Sequence, residues 1–391
     1  MLAQDAPRAA ATPAIAEVLL VPYYFYISYE AFGRVARALA ERGTSARMLC
    51  MHFNLHDERS QYDEARLRRD GIPSVHLALD LRGMGDRGAA ATAVKLSAYQ
   101  RNRRRIRAFL RVRRPALVVV ESDLGGIYIR TLVDECRAAG IRVAVLMTLD
   151  VGQAVSPRFE KTARDRAVNA AVGSIPALKA IFYRTEVVGS YVRGRGTPVL
   201  VPSVAVRDRL VSGGIRPDGI RVVGSPQHDA LCELRRRDRG PLLAAWLRQH
   251  RLAVNTRLVV LCTEVIEEVF GPGYVEELYP RRASAFSEMP PEYRVVLRFH
   301  PRETSQHIAF FRRCFAGERY LEAPDDRLDL LLHMSELCIG HFSSVLLKAL
   351  ALGRPILSIN IQRSATATIF AVDEVLPQIR NNSEFSKIAA A

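Results

Sequence analysis

The amino-acid sequence predicts an α/β protein in which two doubly wound parallel sheets face each other across a cleft. The chain has 391 residues, which is too long for one ordinary core and suits two domains of roughly 150–200 residues. Short apolar segments alternate with helical segments in both halves, a pattern typical of parallel sheets covered by helices. A polar, helical stretch between the two alternations indicates where the domains are connected.

The domain boundaries follow from where this alternation begins, stops and resumes. We expect residues 1–16 to form a flexible tail and residues 17–235 to form the first domain. Residues 236–255, which contain the only tryptophan, are predicted to link it to a second domain over residues 256–391. Ligands of such sheets bind outside the carboxyl ends of the strands, so the cleft is the predicted site.

The first alternation begins with an apolar run that predicts a strand over residues 17–27, followed by a helix that Gly43 closes. Pro115 stops an arginine-rich helix and precedes the fully apolar run Val118–Val120. We interpret residues 52–87 as a long loop that either forms a lid over the cleft or contains short helices. Further strands are predicted at 46–53, 141–150, 185–189, 197–203 and 221–225, with helices at 125–140, 177–183 and 204–215.

The second alternation is more compact. Its strands are predicted at 257–264, 293–301, 335–344 and 354–360, with helices at 305–315 and 345–353.

Composition excludes several classes of protein. Hydrophobic residues make up 49% and charged residues 25% of the chain, values typical of a globular protein rather than a disordered one. No apolar run reaches the roughly 18–20 residues that cross a bilayer, and the opening segment lacks the pattern of a signal peptide. The six cysteines include no C-x-x-C pair, which argues against zinc and disulfide frameworks. We therefore expect a cytoplasmic protein.

The formal net charge is +15, and nearly all of the basic residues are arginine. This excess favours anionic partners such as nucleotide phosphates, polyanionic glycans or an acidic membrane surface. The densest cluster spans residues 101–114, where Ile106 and Leu110 fall on one helical face and leave the arginines mainly on a solvated one. A peripheral contact with an anionic membrane stays open. No nucleic acid is expected, because interleaved aromatic residues are missing.

The first candidate site lies in residues 337–360, which read as strand, tight turn, helix and strand. Gly340 and His341 fall in the turn, and Ser343 and Ser344 fall where the helix starts. A helix start presents unpaired N–H groups and partial positive charge, which together with hydroxyl groups can hold phosphate. The alternative is an ordinary serine cap of a buried helix.

The second candidate site is the end of the strand after Val295, where Arg298, His300, Pro301 and Arg302 follow an apolar run. An imidazole at this edge can donate to a phosphate oxygen while arginines stabilise developing charge. A structural histidine is the alternative.

These segments carry a resemblance to known families. Val201–Leu231 resembles the V-x-G-x-P-x-x-D-x-L segment of UDP-GlcNAc 2-epimerases and related GT-B transferases. His300-Pro301, followed 43 residues later by Ser343-Ser344, resembles the His-Pro and Ser-Ser motifs of bacterial sialyltransferases and polysialyltransferases. CDP-glycerol glycerophosphotransferases have similar elements.

The resemblance implies the GT-B fold, with two Rossmann-like domains, a nucleotide-sugar donor in the C-terminal domain and an acceptor facing the N-terminal domain. It implies that His300, Ser343 and Ser344 contact the donor phosphate. The acidic base motif of the sialyltransferases has no match here, and the nearest stretches offer Glu121 with Asp123, or Asp150. We take Asp123 or Asp150 as the candidate base.

Two further residues have open roles. Many GT-B transferases place a glutamate near the position of Lys348, and lysine cannot accept the hydrogen bonds of ribose hydroxyls. Lys348 either adds charge to the phosphate site or faces solvent. Glu264 follows the first strand of the second domain, where it either approaches the donor or lies on a surface helix.

The leading hypothesis is a bacterial glycosyltransferase of polysaccharide biosynthesis that moves a sugar from a nucleotide donor to a surface glycan or lipid-linked acceptor. No cofactor and no metal are expected, since D-x-D is missing from the sequence. The alternatives are a UDP-GlcNAc 2-epimerase-like enzyme, a CDP-alcohol phosphotransferase and a non-catalytic subunit that binds sugar nucleotides.

Overall fold

The computed structural model of the chain shows two parallel sheets with helices packed against them, as the alternating pattern predicts. It describes residues 17–22, 25–51, 64–80, 82, 89–123, 127–148, 196–212, 214–264, 273–300, 303–323, 327–340, 344–359 and 378–379.

The first sheet has seven parallel strands in the order β3-β2-β1-β4-β5-β6-β7. Its strands are β1 Val18–Val21, β2 Ala46–Met51, β3 Ser74–Leu77, β4 Leu117–Val120, β5 Arg142–Leu146, β6 Val199–Val201 and β7 Ile220–Val222. The described helices of this half are α1 Phe25–Glu41, α2 Glu64–Arg69, α3 Ala89–Arg113, α4 Ile127–Ala138 and α5 Val204–Ser212, and a short 3-10 helix spans Pro217–Gly219.

The second sheet has six parallel strands in the order β10-β9-β8-β11-β12-β13. Its strands are β8 Arg257–Cys262, β9 Tyr293–Arg298, β10 Tyr320–Glu322, β11 Leu337–Gly340, β12 Ile356–Ile359 and β13 Gln378–Ile379. The described helices are α6 Pro226–Arg235, α7 Arg239–Gln249, α8 Tyr274–Ser287, α9 Ser305–Cys314, α10 Leu328–Met334 and α11 Ser344–Ala351.

Both sheets are buried on their two faces, which explains why their central strands are continuous apolar runs. In β4 the side chains of Val118 and Val120 pack into one core while that of Val119 packs into another. In β8 the same alternation sends Val260 to one face and Val259 to the other. Each domain therefore has a core layer on either side of its sheet.

The start of the chain differs from the sequence-based expectation. The strand predicted over residues 17–27 ends at Val21, and α1 begins at Phe25. The aromatic run is helical because Tyr29, Phe32 and Ala36 share one helix face, where all three are buried. The predicted end of the helix is confirmed, since Gly43 follows it with a φ of 72°.

The segment predicted as a lid or a loop with short helices contains regular structure. Its described part forms α2 and then β3, which pairs with β2 at the edge of the first sheet. Buried Val75 and Leu77 alternate with exposed His76, the period expected of a half-buried edge strand.

The segment around the predicted linker packs on the second domain. Ser225 caps α6 by accepting a hydrogen bond from the His228 N–H, and Pro226 occupies the first helical turn. Leu231 of α6 and Trp246 of α7 both lie in a core cluster of the second sheet. The side chains of α6 thus contribute to the second core, although the predicted boundary at residue 235 assigns that helix to the first domain.

The arginine-rich helix α3 is partly neutralised by carboxylates. Glu135 of α4, 3% exposed, accepts hydrogen bonds from both Arg103 and Arg107. Arg101 pairs with buried Asp80 at 2.7 Å. In the described part of the chain, no helix is long and apolar enough to span a membrane.

Candidate functional site

Three neighbouring strands of the second sheet end at one edge and bring the predicted site residues together. β8 lies between β9 and β11, with Leu261 aligned to Leu297 on one side and to Ile339 on the other. Strand spacing is about 4.8 Å, so the backbones that follow β9 and β11 run about 10 Å apart across β8. His300 follows β9 and Gly340 ends β11, on either side of the segment that follows β8.

The backbone of His300 is held at both of its polar groups. Its N–H donates to the Thr263 Oγ1 atom at 2.9 Å, and its carbonyl accepts from the Glu303 N–H at 2.9 Å. Thr263 and Glu303 are both buried. The histidine is half-buried, so the strand end is rigid while part of the residue reaches solvent.

The side chain of Arg298, at the end of β9, makes a hydrogen bond next to the neighbouring strand β10. Its Nη1 atom donates to the carbonyl of Ala323 at 2.6 Å, just beyond β10. This hydrogen bond ties the ends of β9 and β10 together at the edge where the sequence predicts donor binding.

Glu264 lies buried between the two predicted motifs. It is 4% exposed, and its Oε1 atom lies 3.4 Å from the position that a Cβ atom at Gly340 would occupy. A side chain at position 340 would also meet Leu346 of α11 at 3.5 Å. Glycine therefore allows the end of β11 to approach both Glu264 and α11.

The start of α11 agrees with the sequence-based prediction. Ser344 is the first residue of α11, which confirms that the helix begins there. Pro301, Arg302, His341, Ser343 and Asp150 lie outside the described residues, as do the strand predicted at 185–189 and the helix at 177–183.

Lys348 lies on α11 one turn beyond Ser344. Its Nζ atom donates to Oδ1 of Asp329 at 3.1 Å, and its side chain is 20% exposed. Asp329 on α10 is buried. The ammonium therefore occupies an ion pair between two helices of the second domain.

The ion pair continues across to the first domain. Glu30 of α1 lies close enough to Asp329 for the two carboxyl groups to interact, and Arg66 of α2 lies 3.4 Å from the Glu30 carboxylate. Burial, followed by repulsion from Asp329, raises the pKa of Glu30 above its ordinary value of 4.5, although Lys348 and Arg66 oppose the shift. The Glu30 carboxyl of α1 and the Asp329 carboxyl of α10, which belong to different domains, thus lie close together.

Helix α1 also contacts helix α6, through an ion pair on the surface. Arg34 makes a bidentate ion pair with Glu233, with N···O distances of 3.2 and 2.9 Å. A groove of about 680 Å³ lies between these two helices.

The candidate bases of the first domain follow its central strands. Asp123 is 4% exposed, and its Oδ2 atom lies 4.0 Å from the Arg137 guanidinium. Glu121 is buried as well, and its carboxylate accepts hydrogen bonds from the hydroxyls of Ser28 and Thr148. The carboxyl edge of the first sheet therefore carries a buried polar network.

Sequence reasoning missed three residues that shape these sites. Thr263 carried a usable signal, because it is the first polar residue after the apolar run of β8. Glu303 carried a weaker one, as it immediately precedes the Thr304 cap of α9. Asp329 carried none, since its role depends on how α10 packs against α11. Among the described residues, no group of three or more His, Cys, Asp or Glu side chains is arranged to hold a metal ion.

No protein-family model matches the sequence, and no curated protein matches it either. Solved structures do match the fold. A UDP-GlcNAc 2-epimerase from Neisseria meningitidis bound to UDP-GlcNAc is 13% identical with a TM-score of 0.57, covering 96% of this chain and 90% of its own. A UDP-GlcNAc 2-epimerase from Methanocaldococcus jannaschii in complex with UDP-GlcNAc and UDP is 14% identical with a TM-score of 0.58, covering 96% and 92%.

A glycosyltransferase from Rickettsia africae is also similar, at 10% identity with a TM-score of 0.55 over 96% of this chain and 86% of its own. These similarities extend over both sheets, and at such low identity they establish the architecture alone. The chain has the two-domain GT-B fold.

Proposed function

We propose that this protein is a glycosyltransferase that moves a sugar from a nucleotide-activated donor to a glycan or lipid-linked acceptor. One observation carries the proposal. The ends of β9, β8 and β11 place His300, Glu264 and the start of α11 along a single edge of the second sheet. Such an edge is where doubly wound sheets bind their ligands.

The donor diphosphate would be held by the start of α11 with Ser343, Ser344 and the neighbouring turn. The N–H groups and partial positive charge at a helix start favour a phosphate. His300, together with Arg298 and Arg302, would stabilise the charge that develops on the departing phosphate. Removing one such preorganised donor typically slows turnover by about 10²–10³-fold. No metal or further cofactor is part of this proposal, because helix ends and basic side chains supply the positive charge.

An acidic residue of the first sheet, Asp123 or Asp150, would take the proton from the acceptor hydroxyl. Asp123 follows β4 at the carboxyl edge, and Asp150 comes four residues after the last residue of β5 along the chain. A general base contributes about 10²–10⁴-fold. The Asp123→Asn and Asp150→Asn variants separate the two, because only the loss of the base should abolish transfer while donor binding persists.

The first experiment is a thermal-shift screen with UDP-, CMP-, CDP- and GDP-linked sugars, since bound ligand stabilises the fold in proportion to occupancy. His300→Ala should then turn over the identified donor poorly while keeping the fold. His76→Ala is the matched control, because His76 is an exposed residue of edge strand β3. Wild-type turnover in His300→Ala would refute the role of His300, and no stabilisation by any donor would refute the function.

A second candidate function is a 2-epimerase, which the similarity to two UDP-GlcNAc 2-epimerases favours. Incubation with UDP-GlcNAc alone distinguishes the two functions, because an epimerase needs no acceptor. Conversion of the sugar without an acceptor would replace the transferase proposal.

We also propose a cytoplasmic protein that touches an anionic membrane through α3. Arg104 and Arg111 are exposed on α3. Val112 beside them is 83% exposed. Each arginine near an anionic surface contributes about 1 kcal/mol. Charge reversal in Arg104→Glu/Arg111→Glu should abolish sedimentation with phosphatidylglycerol vesicles; unchanged sedimentation would refute the contact.

A further inference from the structure

Glu121, immediately after β4, is a buried carboxylate of the first domain whose two oxygens both accept hydrogen bonds from hydroxyl groups. Thr148 Oγ1 donates to its Oε1 atom at 2.5 Å, and the Ser28 hydroxyl donates to its Oε2 atom. All three residues are buried, with exposures of 7%, 3% and 0% for Glu121, Thr148 and Ser28. Buried polar groups that satisfy one another in this way make a rigid, specific arrangement.

This network joins three segments at the carboxyl edge of the sheet. β4 lies between β1 and β5. Ser28 lies in the first turn of α1, which follows β1, and Thr148 lies two residues beyond the end of β5. The Glu121 N–H also donates to the Val21 carbonyl at the end of β1. The carboxylate of the central strand is therefore held from both sides.

Both candidate bases are close to this network along the chain. Asp123 is two residues beyond Glu121, and Asp150 is two residues beyond Thr148. The hydrogen bond between Glu121 and Thr148 thus fixes the end of β4, which Asp123 follows, and the end of β5, after which Asp150 comes in the sequence.

We propose that Glu121 is a positioning residue that fixes the ends of β4 and β5, and thereby the base, against the acceptor hydroxyl. The inference rests on the proposed transferase function. Glu121 does not take the acceptor proton itself, because both of its oxygens already accept hydroxyl hydrogen bonds inside the protein.

The chemistry of the network predicts which substitutions preserve it. In Glu121→Gln, the amide oxygen accepts from one hydroxyl and the amide nitrogen donates to the oxygen of the other, since hydroxyls both donate and accept. In Glu121→Ala, both hydroxyls lose their partner, and the strand ends are no longer tied. Misplacement of a catalytic group by about 1 Å costs on the order of 100-fold in rate.

The experiment compares these two variants with Glu135→Ala, which removes another buried carboxylate of the same domain, at a helix contact away from this edge. All three are assayed for melting temperature, donor affinity, kcat and acceptor KM below the lowest melting temperature. We expect Glu121→Ala to lower kcat by about 30–100-fold with donor affinity unchanged. Glu121→Gln should stay within about threefold of wild type, and Glu135→Ala should lower only the melting temperature.

Hydrogen exchange of peptides covering residues 118–123 and 142–148 provides a readout that is independent of turnover. Faster exchange in Glu121→Ala, but not in Glu121→Gln or Glu135→Ala, supports the tie between the strands. Unchanged exchange in Glu121→Ala overturns the proposal, as does wild-type kcat in that variant. Equal loss of kcat in Glu121→Gln and Glu121→Ala with wild-type exchange also overturns it, because the carboxylate would then take part in the chemistry. If the wild-type protein turns over no donor, the transferase function is refuted. The exchange data then still show whether Glu121 holds the ends of β4 and β5 together.

Discussion

The Nζ atom of Lys348 lies 3.1 Å from Oδ1 of Asp329, and both charged groups interact electrostatically with Glu30 of the first domain. Lys348, for which the sequence leaves open either added charge at the phosphate site or a place on the surface, therefore makes an ion pair with Asp329 of α10. Its position on α11 couples the predicted phosphate site to α1, the helix that also supplies Ser28 to the first-domain network.

Replacing Lys348 with methionine should lower the free energy of unfolding by about 2 kcal/mol, because buried Asp329 then loses its counter-charge. Urea denaturation measures this change. In the double variant Lys348→Met/Asp329→Asn, much of the loss should be recovered, since the uncompensated charge is gone. Equal stability of Lys348→Met and wild type would show that the ion pair contributes nothing. A drop in donor affinity larger than that of His300→Ala would return Lys348 to the phosphate site.

Glu30→Gln should make the protein more stable at neutral pH and change little at pH 4. The pKa of Glu30 is raised in the folded state by burial and then by Asp329. Its stabilising contribution is therefore complete below the unfolded value near 4.5 and is lost as the pH rises through the folded value. Glutamine is neutral at every pH and therefore avoids this loss. Melting temperatures between pH 4 and pH 8 measure the difference.

Glu233→Gln is the matched control, because its pKa is shifted in the opposite direction. The hydrogen bond and charge of Arg34 lower the pKa of this exposed carboxyl. Its contribution is present above the unfolded value and is lost as the pH falls through the folded value. A widening advantage of Glu30→Gln with rising pH, absent from Glu233→Gln, would confirm the carboxyl contact between domains. Parallel pH profiles of Glu30→Gln and wild type would contradict it.

Much of the fold was predictable because burial on both faces produces strong local signals. The run Val118–Val120 after Pro115 predicts β4, and the apolar residues from Leu258 to Cys262 predict β8, although the predicted strand extends two residues further, to Glu264. Serine at the start of α11 and glycine after α1 were also predictable, since helix ends need particular residue types.

The errors arose where two patterns overlap or where the signal is short. Residues 25–27 continue the apolar run of β1, yet they belong to α1 because Tyr29 and Phe32 form its buried face. The alternation of Val75, His76 and Leu77 is only a few residues long. The sequence pattern therefore predicts no strand there and places these residues in the loop at 52–87. The contact between Glu30 and Asp329 has no local signal, because it depends on how the two domains meet.

Removing the buried carboxylate of Glu135 should cost about 2 kcal/mol in Glu135→Ala, because its hydrogen bonds to Arg103 and Arg107 of α3 are lost, although both arginines stay accessible to water. Thermal or urea denaturation measures the loss. Asp218→Ala is the matched control, since Asp218 pairs with Arg216 on the exposed surface, and such pairs contribute about 0–1 kcal/mol. Equal effects of the two substitutions would show that α3 does not depend on this ion pair.

Thr263→Val should slow turnover by about tenfold with little change in donor affinity, because it removes the acceptor of the His300 N–H while keeping the side-chain volume. The unpaired N–H costs about 1–3 kcal/mol, enough to let the end of β9 shift. Thr263→Ser is the matched control, since it keeps the hydroxyl at 2.9 Å from the His300 nitrogen. Steady-state kinetics and donor titrations of both variants decide the matter. If Thr263→Val and Thr263→Ser turn over at the wild-type rate, the position of His300 does not depend on β8, and the edge formed by the three strands is not the reacting centre.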